Sequence, residues 1–193
     1  MSDKPTIALF AKYPHAGQAK TRLAPVLGDA GAARLHARLV ERTLATIRES
    51  GLPFVVYYTG ANAGEFSAWL GDDVPLVEQG EGDLGARLAR VPGPAILLGA
   101  DIPGLTADHL RDAAKALDEM PVVIGPASDG GYYLLGFTRQ VPQLWRDMHW
   151  GTDTVLAETE ARLRDLGIAC RKLGVLDDCD RPEDLANWPE LLA

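Results

Sequence analysis

The sequence predicts a three-layer α/β/α fold with a mostly parallel central sheet, in one domain spanning residues 1–193. Three observations predict it. Short apolar runs alternate along the chain with segments whose apolar residues recur at helical spacing, the order expected of parallel strands joined by crossover helices. Two of those runs, 7–11 and 95–98, are apolar throughout, as buried strands are. With 47% hydrophobic and 24% charged residues over 193 positions, the chain can bury one real core without staples.

The elements follow in order. Residues 7–11 form the first strand. Leu35, Leu39, Val40, Leu44 and Ile47 recur at helical spacing and predict a helix over about 30–50. PFVVYYT, 53–59, is a strand, followed by a short helix over 63–70 and a short strand over 75–78. Asp83 is placed to cap a short helix over 83–90. AILLGAD is a strand ending at Asp101, and Thr106 caps a helix running to Leu117. VVIGPA and YYLLGF are strands separated by the turn Ser128-Asp129-Gly130-Gly131. A helix over 152–166 and a strand over 168–175 come next. Pro182 opens a final helix, where its missing N–H costs nothing.

Charge is distributed unevenly. The chain carries −8 overall, yet residues 1–50 carry +4 and the remainder −12. Lys12, Lys20 and Arg22 share one loop after the first strand, beside Gly17. A basic loop on an acidic body points to a local anion site, not to a nucleic-acid surface. No apolar run approaches membrane-spanning length, and Met1-Ser2-Asp3-Lys4-Pro5 leads straight into a strand. A cytoplasmic protein without a membrane partner is the expectation. Cys170 and Cys179 fit no metal or redox spacing and are expected as free thiols. His15, His36, His109 and His149 are scattered, without zinc spacing, and receive no role.

In a parallel α/β sheet, ligands bind beyond the carboxyl ends of the strands, so loops that follow strands carry the chemistry. In the first loop, a glycine lets backbone N–H groups approach an anion, and Lys20 and Arg22 can neutralise phosphate oxygens. The spacing of a P-loop is absent. LLGADIP delivers Asp101 at the end of an apolar strand, where a carboxylate can hold a divalent cation or cap a turn before Pro103. In LDDCDRPEDL, Asp178 and Asp180 point to the same side if extended, and either could complete a metal site or serve a helix N-terminus. ASDGGYYLLG reads as a tight hairpin or as a loop hugging a substrate, with Asp129, Gly130, Gly131 and Tyr132 at its edge. Gly85, early in a helix beside Arg87, suggests close packing or close ligand approach. Trp150 and Gly151 precede a helix as a lid, a stacking element or core.

FAKYPHAGQAKTRLAPVLG, QGEGDLGARL, GADIPGL, GPASDGGYYLLG, WGTDTV and DCDRPEDL occur in this order along nearly the whole chain. The set resembles the nucleotide-diphospho-sugar transferase (GT-A-like) superfamily, in the branch of radical-SAM/selenodomain-associated transferases and arsenosugar-biosynthesis glycosyltransferases. The AKTRLAPVLG segment is also similar to 2-phospholactate guanylyltransferases, and the layout more distantly to molybdenum-cofactor guanylyltransferases. The resemblance implies a nucleotide over the first loop, with Ala11, Lys12, Gly17, Lys20, Arg22, Gly85 and Arg87 in contact with it, and Mg²⁺ (or Mn²⁺) at Asp101 and Asp180. Asp129, Gly130, Gly131, Tyr132 and Trp150 would meet the acceptor. Two departures stand out. Arg181 replaces the usual Thr and removes a helix cap, and the helix after Asp83 is short.

The expected activity is nucleotidyl transfer from a nucleoside triphosphate to a small anionic or hydroxyl acceptor, releasing pyrophosphate, with Lys20, Arg22 and Asp101 as the catalytic set. Glycosyl transfer from a nucleotide sugar is the alternative, and a non-catalytic nucleotide-binding module the third reading. The two cations of the first loop favour the triphosphate.

Overall fold

Period-two alternation along the strands decides how the layers close. In the computed structural model, which describes residues 4–192, β1 (Thr6–Lys12) turns Ile7, Leu9 and Ala11 to one face and Ala8 and Phe10 to the other. Strands β2 (Phe54–Thr59), β3 (Leu76–Glu78), β4 (Ala95–Leu98), β5 (Val122–Pro126), β6 (Tyr132–Phe137) and β7 (Cys170–Lys172) complete one seven-stranded sheet in the order β3-β2-β1-β4-β6-β5-β7. Pairings are parallel except those of β6, which runs antiparallel to both β4 and β5.

Both faces of the sheet are covered. On one, Val40, Leu44 and Ile47 of α1 (Ala24–Ser50), Phe66 of α2 (Ala63–Leu70) and Leu110 and Ala113 of α4 (Ala107–Ala116) pack on Ile7, Leu9, Ile96 and Leu98. On the other, Leu88 of α3 (Leu84–Leu88) and Leu163 of α5 (Val155–Asp165) join Trp145 against Ala8, Leu97, Ile124 and Leu135. The three-layer α/β/α class expected of the sequence is the one found. No helix among the described residues is long and apolar enough to cross a membrane, and Cys170 and Cys179 are unpaired.

Differences from expectation are local. α1 starts near Ala24, and its regular part begins after Gly28, whose φ of 69° breaks the helix. β4 stops at Leu98, three residues short of Asp101. β7 keeps only three residues, with Leu176 bridging back to Ala127. The final segment, Pro182–Asn187, is a 3-10 turn rather than an α-helix. Arg181 supplies no side-chain cap; Asp184 Oδ2 instead reaches back from inside the turn and accepts from the backbone N–H groups of Asp180 (2.9 Å) and Arg181 (2.7 Å). Asp83 and Thr106 cap α3 and α4 as expected, accepting from Ala86 N and His109 N.

The chain leaves β1 for β2 and β3 on one side, then returns to place β4 on the other. The loops after β1 and β4 therefore diverge and leave a crevice between them, the switch point where such sheets bind ligands.

Candidate active site

Lys20, Arg22, Asp101 and Asp180 meet at that crevice. Lys20 Nζ lies 2.7 Å from Asp101 Oδ1, 2.7 Å from the carbonyl oxygen of Cys179 and 3.4 Å from Asp180 Oδ1. The second oxygen of Asp180 accepts from Arg22 at 2.5 Å. The Lys20 side chain is 4% exposed, Asp180 28%, Asp101 51% and Arg22 58%. Burial by itself would lower the Lys20 ammonium, but the Asp101 and Asp180 carboxylates outweigh it and hold the group above its ordinary value. Burial likewise would raise Asp180, and Lys20 with Arg22 outweighs it and holds the carboxyl below the usual range. Lys20 adopts φ 48°, a left-handed conformation that costs a non-glycine residue about 1–3 kcal/mol and is maintained here by three acceptors.

The Lys20 ammonium meets three protein oxygens. Each oxygen of Asp180 faces one cation, Oδ1 Lys20 and Oδ2 Arg22. Asp101 pairs through one oxygen only and stays half-exposed. The last segment of the chain brings the group together. Leu176 N donates to Pro126 O, Ser128 N donates to Leu176 O, and Cys179 N donates to Asp101 O at 2.8 Å, so residues 176–180 thread between the β5–β6 turn and the Asp101 loop.

The rest of the first loop is braced from below. Lys12 Nζ donates to Gln18 O at 2.9 Å and has no carboxylate partner among the described residues. Gly17 takes φ 74° directly over Asp29, whose carboxylate a Cβ would approach at 3.5 Å. His36, on the buried face of α1, bonds through Nε2 to Lys12 O at 2.9 Å. Burial depresses its imidazole below the ordinary range. Gln79, also buried, reaches Ala11 O (3.4 Å) and Tyr57 O (2.8 Å). Arg87 donates to Gln79 Oε1 and Gly82 O, closing the glycine loop before α3. No motif in the sequence marks His36, while Gln79 opens the QGEGDLGARL segment with no role assigned to it. Burial against backbone carbonyls is what singles both out in the structure.

The acceptor candidates line a separate cavity of about 250 Å³ on the α3/α5 side of the same sheet end. Asp129, Gly131, Tyr132 and Trp150 all border it, as do Leu84 and Leu88 of α3. Gly130 is packed instead of lining it. A Cβ there would lie 2.2 Å from Asp153 O, and Gly130 O accepts from Leu156 N. Asp129 Oδ1 accepts from Gly131 N at 2.8 Å, so the β5–β6 connection is both a hairpin turn and a rim of the cavity. Gly85 answers to packing. A Cβ there would lie 2.4 Å from Trp145 O and 3.3 Å from the Trp150 indole nitrogen. Trp150 stacks on Trp145 with centroids 6.5 Å apart. Asp178 is partly buried near Asp129. Burial first, and then the Asp129 charge, hold its carboxyl above the usual range.

Among the described residues no group of three or more His, Cys, Asp or Glu is arranged to hold a metal. The free oxygen of Asp101 nevertheless suits Mg²⁺ or Mn²⁺, which bind through as few as one carboxylate and take their other ligands from phosphates and water.

A family model described as "Uncharacterized protein conserved in bacteria (DUF2064)" matches residues 43–152. No curated protein matches the chain. Among solved structures, a protein from Desulfovibrio desulfuricans G20, assigned as a nucleotide-diphospho-sugar transferase, is 29% identical with a TM-score of 0.88, over 98% of this chain and 88% of that one. Rv0371c of Mycobacterium tuberculosis H37Rv in complex with manganese is 22% identical with a TM-score of 0.57, over 97% and 98%. A CMP:2-keto-3-deoxy-manno-octonic acid synthetase complexed with CTP is 15% identical with a TM-score of 0.56, over 98% of both chains. The latter two likenesses concern the fold.

Proposed function

The chain belongs to the DUF2064 family of uncharacterized bacterial proteins, and we propose that it is a transferase that binds the phosphates of a nucleotide donor at the β1/β4 crevice and moves part of that donor to a small acceptor. The observation that carries this reading is the Lys20–Asp101–Asp180–Arg22 cluster at the switch point, with one Asp101 oxygen left open. The names of the similar structures support the class: one a nucleotide-diphospho-sugar transferase, another a CTP-bound synthetase. The sequence likeness to the radical-SAM/selenodomain-associated branch supports a small-molecule acceptor.

Nucleotidyl transfer with release of pyrophosphate is the first reading. Arg22, more than half exposed, and Lys12, without an acidic partner, are the cations best able to turn to donor phosphates. Lys20 serves as a positioning residue that fixes Asp101 and Asp180. A divalent ion held by Asp101 would supply charge neutralisation at the phosphates. The protein's own share is orientation and preorganised charge, with no protein nucleophile.

Glycosyl transfer is the second reading, and two observations favour it. The 29% identical structure carries a sugar-transferase assignment. Two carboxylates also cancel the charge of Lys20 and Arg22, which weakens the case for a triphosphate over a diphosphate. The products separate the readings. Purified protein with Mg²⁺, a pool of small-molecule acceptors and each NTP, and in parallel with each UDP- or GDP-sugar, is assayed for pyrophosphate and for nucleoside diphosphate. Pyrophosphate that disappears in Asp101→Asn supports nucleotidyl transfer. UDP or GDP from a sugar donor, without pyrophosphate from any NTP, replaces it with glycosyl transfer. Neither product, with no nucleotide binding by calorimetry, overturns both.

A further inference from the structure

The cavity beside the crevice selects its occupant by chemistry. It is walled by aliphatic and aromatic side chains from five elements or connections: Phe10 of β1, Leu97 of β4, Leu84 and Leu88 of α3, Tyr132 of β6, and Val155 of α5. Among the described residues no Lys, Arg or His lines it, and Asp129 is the one charged side chain that does. Asp178 lies close enough behind Asp129 to feel its charge. The nearby guanidinium groups are already engaged. Arg87 holds Gly82 O and Gln79, and Arg162 holds the carbonyls of Gln143, Leu144, Arg146 and Asp147. At about 250 Å³ the cavity sits just below the roughly 300 Å³ at which sites for drug-sized ligands begin.

Resting on the transferase reading, we propose that the acceptor is a small, uncharged alcohol with an apolar body, seated in this cavity with its hydroxyl toward Asp129, and that phosphorylated and carboxylated acceptors are excluded. An anion would be desolvated against leucines with no cation to meet it, beside a carboxylate of like charge. A hydroxyl acceptor instead has a proton to lose during transfer, and a carboxylate at the rim is the group that can take it. In the nucleotidyl reaction the acceptor oxygen bonds the α-phosphorus and the bond from that phosphorus to the bridging oxygen breaks. Pyrophosphate leaves, and the hydroxyl proton passes to Asp129 and then to water. The choice between a hydroxyl and an anion, open in the sequence, is decided by the lining.

The test has a readout that does not depend on turnover. Trp150 lines the cavity and stacks on Trp145, so an occupant should change its fluorescence. Benzyl alcohol, benzoate and phenyl phosphate, similar in size, are titrated into the full-length protein and into Trp150→Phe. Benzyl alcohol should give a saturable change at least tenfold tighter than either anion, and that change should be lost in Trp150→Phe. Asp129→Asn should narrow the gap between alcohol and anions. Anions binding as tightly as the alcohol, or a nucleoside competing with the alcohol for the cavity, would overturn the proposal. Failure of the transferase reading looks different, because nucleotide binding and product are then absent while the alcohol signal persists.

Discussion

Replacing Lys20 by Met tests whether the ammonium is a structural cation between two carboxylates. The substitution keeps most of the apolar stem and deletes the charge, leaving Asp101, Asp180 and the Cys179 carbonyl without their common donor. Breaking a fully buried ion pair costs about 3–5 kcal/mol, and breaking an exposed one costs about 0–1 kcal/mol. Here the lysine is 4% exposed, but Asp101 is half open and regains water, while Asp180 keeps Arg22. A loss of about 2 kcal/mol lies between these limits. For a chain of this size that is a fall in Tm of about 4–8 °C, read by thermal unfolding without divalent ions. Adding Mn²⁺ should restore part of the loss and should raise the Tm of Lys20→Met more than that of the unsubstituted protein, because one cation fewer now faces the two carboxylates. An unchanged Tm would refute the buried network, and an equal Mn²⁺ increment would refute the view that the ammonium stands between them.

The remaining expectations are more local. Arg22→Ala should weaken NTP binding by about 1–3 kcal/mol, the scale of a hydrogen bond to a charged group, and leave nucleoside binding nearly unchanged; equal losses by calorimetry would mean that the loop acts through folding. Gly85→Ala places a methyl against the backbone oxygen of Trp145, 2.4 Å away, so it should cost about 1–3 kcal/mol and alter tryptophan fluorescence through the Trp145–Trp150 stack. Because burial holds the His36 imidazole below its ordinary value, the unfolded chain binds the proton first as pH falls below about 6.5. Stability should therefore decline from there toward pH 5. His36→Gln, which keeps an N–H donor for Lys12 O, should flatten that slope in urea melts, and an unchanged slope would place its origin elsewhere.

The sequence by itself determined what is local. Apolar periodicity sets the strands and helices, Asp83 and Thr106 cap α3 and α4 from one turn away, and the run 95–98 leads the chain toward Asp101. Those features depend on neighbours within a few residues, so they are legible without a fold. Asp184 shows the limit even of local reading, since it reaches back to the backbone N–H groups of Asp180 and Arg181 although no motif assigned it that role. The tertiary structure alone decided the partners of charge. Lys20 lies 160 positions from Asp180, and nothing between them in the chain states that residues 176–180 will thread past the Asp101 loop. The antiparallel course of β6, the packing of Gly85 on Trp145 and, among the described residues, the lack of a cationic side chain lining the cavity have the same origin. Each follows from strand order and helix docking, which bring distant loops within a few ångströms and thereby fix which charges are satisfied by the protein and which remain for a ligand.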